Sequence, residues 1–166
     1  MRKVRARRQS YEKHPKMALA LSACLVTGAV GGVFTSMSVN TWYAQLIRPA
    51  FAPPNWVFAP VWNVLYFMMA LAFYLVLVSA PNRYKKRAIR VFVLQLLANA
   101  GWSAAFFGAQ SPAGGFIVIL LLILLIGWTI SLFRRVCVKS AWLLVPYGLW
   151  VCFAAYLNYQ LWVLNR

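Results

Sequence analysis

The stretch GGFIVILLLILLIGWTISLF, Gly114 to Phe133, is twenty residues long and carries no charge. At about 1.5 Å rise per residue a helix of that length covers the ~30 Å hydrocarbon core of a bilayer. No water-soluble fold needs such a run, so this segment reads as a membrane span. Working outward from it, four more charge-poor apolar runs of similar length appear, giving spans at about 17–38, 57–79, 89–108, 114–133 and 141–164. All connections but the first are short, which favours antiparallel neighbours. The composition agrees: 63% of the 166 residues are apolar or aromatic, 11% are charged, and mean hydropathy is +0.70. A soluble domain is about a quarter charged. The expected fold is therefore an all-α membrane protein, a five-transmembrane-helix bundle over 17–166 behind a basic, disordered tail at 1–16.

Seventeen Lys and Arg stand against one acidic residue, Glu12, and they are not spread evenly. Seven lie in the tail, five around the second loop (Arg83, Lys85, Lys86, Arg87, Arg90) and three in the fourth (Arg134, Arg135, Lys139). Only Arg48 and Arg166 fall on the other side. Fifteen against two puts the N-terminus inside and the C-terminus outside. The tail could in principle grip nucleic acid, but basic residues beside a membrane more commonly set topology and attract anionic lipid, so no nucleic-acid partner is expected. A cleaved signal peptide ending near Ser38 is disfavoured because the apolar run exceeds the usual 7–15 residues.

The same counts exclude most catalytic chemistry. With no Asp, one Glu and one His (His14), the chain lacks paired carboxylates, a Ser-His-Asp triad and a carboxylate proton relay. Cys24, Cys137 and Cys152 have no metal-ligand spacing, and free structural thiols are the plain reading. No metal and no obligatory cofactor are expected, nor conventional enzyme activity. Aromatic rings, amides and shape are what remain.

Those groups are patterned. Trp62 and Tyr66 lie four apart, on one helix face; Gln95, Asn99, Trp102 and Phe106 form a stripe on the third span; Tyr147, Trp150, Ala154 and Asn158 form another on the fifth. An unpartnered amide in hydrocarbon is costly, so Gln95, Asn99 and Asn158 should point inward. Stripes alone fit interhelical hydrogen bonds as well as a pocket. The fourth span, apolar all round, is expected to face lipid. The first loop tips the balance. TWYAQLIRPAFAPPNWVFAPVWNVLY, Thr41 to Tyr66, holds prolines at 49, 53, 54 and 60 among aromatic residues. An aromatic belt needs no such prolines, whereas a stiff lid over a pocket for a flat, apolar ligand does.

These residues resemble the TspO/MBR family, the translocator proteins and tryptophan-rich sensory proteins also called peripheral-type benzodiazepine receptors. The likeness extends from about Thr27 to Asn165. It rests on WYAQLIRPAFAPPNWVFAPVWNVLY, on QLLANAGWSAAFFG (95–108), on LLVPYGLWVCFAAYLN (143–158) and on the glycine-rich GAVGGVFT (28–35). The resemblance implies a usually dimeric five-helix bundle that binds porphyrins and related tetrapyrroles, and in eukaryotes cholesterol, in a cavity closed by the first loop. It implies ligand contacts at Trp42, Trp56, Trp62, Tyr66, Asn99, Tyr147, Trp150, Ala154 and Asn158. Trp62 and Trp150 match the tryptophans associated in some bacterial members with light- and oxygen-dependent protoporphyrin breakdown, and are the only catalytic candidates. Phe51, Ala98 and Gly148-Leu149 depart from common family residues and bear on ligand size. A sterol motif fails narrowly, since six residues separate Tyr159 from Arg166.

Small residues four apart, Ala100, Ala104 and Gly108, are a candidate homodimer face, as are Gly28 and Gly32. Three roles follow as expectations: a sensor or carrier that binds a porphyrin such as protoporphyrin IX or a haem-like ring, a photo-oxidative porphyrin degrader, or a membrane interaction partner without turnover. The expected location is a bacterial cell-envelope membrane, with lipid as a standing partner.

Overall fold

In the computed structural model, residues 2–166 are described, with side chains from Lys13 onward. Six α-helices follow one another: α1 (Arg2–Ser38), α2 (Trp42–Gln45), α3 (Asn55–Val78), α4 (Lys85–Ser103), α5 (Pro112–Val136) and α6 (Val138–Leu164). The described residues hold no strand. Five of these helices, α1 counted from Lys13 and α4 with its extension to Gly108, are long and apolar enough to cross a membrane. The chain is an all-helical, multi-pass membrane protein. Each expected span is found, with ends displaced by a few residues. The backbone of α1 begins at Arg2, so the stretch read as a separate tail runs on into the first helix; the side chains before Lys13 lie outside the described residues.

The helices close into a ring in the order α1, α3, α6, α5, α4 and back to α1. This order decides the interior. Because α3 and α4 barely touch, a side chain from α4 meets α3 only by reaching across the middle. The apolar lining includes Met69, Phe73, Phe92, Ile119, Leu144 and Val151. Phe73, Phe92 and Phe133 stack in series at 4.4 and 5.5 Å near the end of the bundle that carries the N-terminus.

The fourth span, apolar all round and expected to face lipid, has two faces: α5 exposes Ile117, Leu121 and Leu124 on one side and buries Gly115, Ile119, Leu122, Ile126 and Thr129 between α4 and α6 on the other. An apolar helix shows no sequence contrast between these two faces, because lipid and protein interior are equally apolar.

Backbone chemistry fixes the outer end. Helix α4 does not finish as an α-helix: Ala104–Gly108 form a π-helical turn, with the Ala109 amide bonded to the Ala104 carbonyl at 2.8 Å. Beyond it Gln110 adopts φ 52°, and Ser111 caps α5 by accepting from the Gly114 amide at 3.0 Å, with Pro112 at the first helical position. The Ser38 hydroxyl donates to the Phe107 carbonyl at 2.7 Å, tying the end of α1 to the π-turn.

Candidate functional site

Asn99 stands at the centre of the ring. Its Oδ1 accepts from the Tyr66 hydroxyl of α3 at 2.6 Å, and its Nδ2 donates to the Tyr147 hydroxyl of α6 at 3.0 Å. One amide therefore joins three helices, and all three side chains are buried. Tyr66 lies close against α1 because Gly28 leaves room: a Cβ there would sit 2.9 Å from two ring carbons. A second amide works the same way nearer the outer end. Asn158 accepts from Trp102 Nε1 at 3.1 Å and donates to the Pro112 carbonyl at 2.7 Å, fastening α6 to α4 and to the start of α5.

Between the two amides runs a continuous file of rings. Tyr147 meets Trp62 edge-on at 6.3 Å, Trp62 stacks on Trp102 at 6.3 Å, Trp102 stacks on Phe106 at 5.7 Å, and Phe106 meets Trp42 edge-on at 5.6 Å. Trp62 also lies 5.6 Å from Tyr66, as their spacing in the sequence requires. Helices α6, α3, α4 and α2 each contribute. The π-turn adds to this, since it brings Phe106 and its neighbour Phe107 both into the buried outer cluster with Tyr43, at 6.1 and 5.6 Å.

The first loop closes over this end and is fastened at three points. The Ile47 amide and carbonyl exchange bonds with the Asn165 side chain at 2.9 and 3.0 Å, Arg48 donates to Asn55 Oδ1 at 2.9 Å, and Phe51 stacks on Tyr156 at 5.2 Å. Burial pushes the Tyr43 phenol up from its ordinary pKa, and the nearby Arg48 charge partly opposes this. The stiff lid has a short helix, α2, within it, and Pro60 belongs to α3 rather than to the loop.

The residues singled out in the sequence do not all meet. Trp62, Tyr66, Asn99 and Tyr147 are in direct contact, with Trp42 joined through Phe106 and Asn158 through Trp102. Ala154 is buried on α6. Trp150 belongs to a second group, 5.9 Å from Phe58 and 5.6 Å from Phe153, and its buried Nε1 has no partner. Trp56 is 74% exposed on the first turn of α3, away from these rings. Phe106, absent from the expected contacts, belongs to the file and already stood in the third-span stripe, while Phe58 lies with Trp150. Gln95 points inward as expected and is 1% exposed, yet neither its nitrogen nor its oxygen has a hydrogen-bond partner. Among the described residues no three His, Cys, Asp or Glu side chains converge.

This arrangement of five spans, lid and ring file can be set beside known proteins. The sequence pattern of the TspO/MBR family matches residues 20–163. The chain belongs to the TspO/MBR family. It is 42% identical to the tryptophan-rich protein TspO of Chlorobaculum tepidum, over 90% of this chain and 95% of that one. It is 37% identical to the protein of the same name from Archaeoglobus fulgidus, over 90% and 97%. Against the translocator protein of Ovis aries the identity is 35%, over 75% of each chain.

Proposed function

We propose that this TspO/MBR protein binds a porphyrin or related planar tetrapyrrole between its helices under the first loop, and acts as a sensor or carrier for it. The observation that carries the reading is the file Tyr147–Trp62–Trp102–Phe106–Trp42, a wall of stacked and edge-on rings drawn from four helices. Rings so arranged offer a flat apolar guest large contact area at small entropic cost. The unpartnered Trp150 Nε1 supplies a donor for a polar edge of the guest. Arg48 in the lid suits a propionate. Titration of protoporphyrin IX into the protein in detergent should quench tryptophan fluorescence saturably. Replacing Trp62 and Tyr66 together by Ala should abolish the effect, and Trp56→Ala should leave it; unchanged affinity in the double variant would remove the assignment.

Light- and oxygen-dependent porphyrin breakdown is the second reading, favoured by the partly exposed Trp150 indole beside Phe58. It requires loss of protoporphyrin absorbance under illumination that stops in Trp150→Phe. The charge asymmetry supports an N-terminus-inside orientation; a homodimer would use the small residues Ala100 on α4 and Ala104 on the π-turn, since Gly108 of that turn already faces Phe34 of α1, where a Cβ would sit 2.8 Å from its ring.

A further inference from the structure

At the end of the bundle that carries the N-terminus, the loop between α3 and α4 is strapped to the last turn of α5. Asn82 Nδ2 donates to the Arg135 carbonyl at 3.0 Å, and the Tyr84 amide donates to Asn82 Oδ1 at 2.8 Å. The strap brings two guanidinium groups onto one phenol. Arg83 donates to the Tyr84 hydroxyl at 2.6 Å and Arg135 at 3.0 Å, and both guanidinium carbons lie over the same ring, at 4.7 and 4.9 Å.

Two like charges held this close repel each other, and a phenol oxygen answers only a small part of their donor capacity, since each guanidinium has five N–H groups. No Asp or Glu occurs anywhere in residues 13–166. The pair is exposed and lacks a carboxylate, yet the Asn82 strap holds its geometry. What fits it is a doubly accepting oxyanion, and guanidinium forks match phosphate in shape as well as charge.

The surface running away from the pair says where that phosphate comes from. Ile117, Leu121, Leu124, Trp128, Ser131 and Arg135 recur at three and four residues along α5 and form one exposed stripe; Leu124 is 71% exposed. Two turns below Arg135, about 10 Å along the axis, Arg87 of α4 lies over the Trp128 ring at 5.0 Å. An apolar track thus ends in an aromatic–cation step and then in a paired-arginine anchor. That sequence of chemistries matches an acyl chain, its ester region and its headgroup.

We propose that Arg83, Arg135 and the Tyr84 hydroxyl form a binding site for the phosphate of an anionic phospholipid whose acyl chain lies along the exposed stripe of α5. The site is separate from the ring file and does not depend on a porphyrin ligand. In the test, the full-length protein in mild detergent is mixed with phosphatidylglycerol, with phosphatidylcholine of the same chains, or with inorganic phosphate, and retained molecules are counted by native mass spectrometry. Wild type should retain phosphatidylglycerol in preference to the other two. Arg83→Gln with Arg135→Gln should weaken phosphatidylglycerol binding about thirtyfold, at roughly fivefold for each basic residue near an anionic surface. Arg166→Gln, at the opposite end, should change nothing. Arg83→Lys with Arg135→Lys keeps the charge and removes the forks, and it should still lose most of the preference. Equal retention of both lipids by wild type would overturn the site. So would full preference in the lysine pair, an equal loss in Arg166→Gln, or inorganic phosphate bound as well as lipid.

Discussion

Two amides one turn apart on α4 are predicted to respond oppositely to removal. Asn99 makes two hydrogen bonds across the ring, to Tyr66 at 2.6 Å and Tyr147 at 3.0 Å; Gln95 makes none, though it is equally buried. Interhelical hydrogen bonds in membranes average ~0.6 kcal/mol each and reach ~1.7. Losing two, and stranding two buried hydroxyls, should therefore cost Asn99→Leu about 2 kcal/mol. Burial of an amide without partners costs about 1–3 kcal/mol, so Gln95→Met, which keeps the volume, should stabilise by about 1 kcal/mol. At roughly 2–4 °C per kcal/mol for a chain of this size, thermal unfolding followed by circular dichroism in one detergent should fall by about 4–8 °C for Asn99→Leu and rise by about 2–4 °C for Gln95→Met. A Gln95→Met protein that melts as early as Asn99→Leu would refute the reasoning, because it would show that the buried Gln95 amide contributes as much as the bridging one.

Further outcomes follow from individual contacts. Gly28→Ala places a methyl 2.9 Å from the Tyr66 ring and should cost about 1–3 kcal/mol, whereas Gly32→Ala, with nothing within 4 Å, should melt like wild type. Asn165→Ala removes both bonds to Ile47, and hydrogen exchange of the first-loop amides should accelerate about tenfold while that of α5 stays unchanged. The bond donated by Arg135, then that from Arg83, favours the Tyr84 phenolate, so Tyr84 should titrate below the ordinary phenol value of about 10. Carbon-13 NMR of labelled tyrosine should show its midpoint move up in Arg135→Gln; an unmoved midpoint would deny the contact.

Much of this was legible before any coordinates. Span length depends on bilayer thickness alone, so five charge-poor runs led directly to five helices. Asn99 and Asn158 were readable as inward because hydrocarbon forbids a free amide, and each does bridge helices. The same rule placed Gln95 correctly but could not reveal that it lacks a partner, since a stripe gives direction and not what lies opposite. The π-turn at Ala104–Gly108 was invisible for a similar reason: spacing arguments assume 3.6 residues per turn, and one wide turn shifts the phase of the residues that follow it. Trp56 shows the limit of reading a motif as a site. It belongs to the most distinctive segment of the chain, yet the start of α3 turns it outward, where a bilayer interface would accommodate it. Trp62 and Trp150, alike in the sequence argument, stand on the neighbouring helices α3 and α6 yet fall into different ring groups, Trp62 with Tyr66, Trp102 and Tyr147 and Trp150 with Phe58 and Phe153.

The central claim is that a planar guest seats against the ring file between the helices. Fluorine-19 NMR of the protein labelled with 5-fluorotryptophan, titrated with protoporphyrin IX, tests it most directly, because ring-current shifts fall off steeply with distance from the macrocycle. Trp62 and Trp102 should show large, saturable shifts, and Trp56 none. Shifts confined to the outward-facing Trp56, Trp128 and Trp142, with Trp62 and Trp102 unmoved, would contradict it.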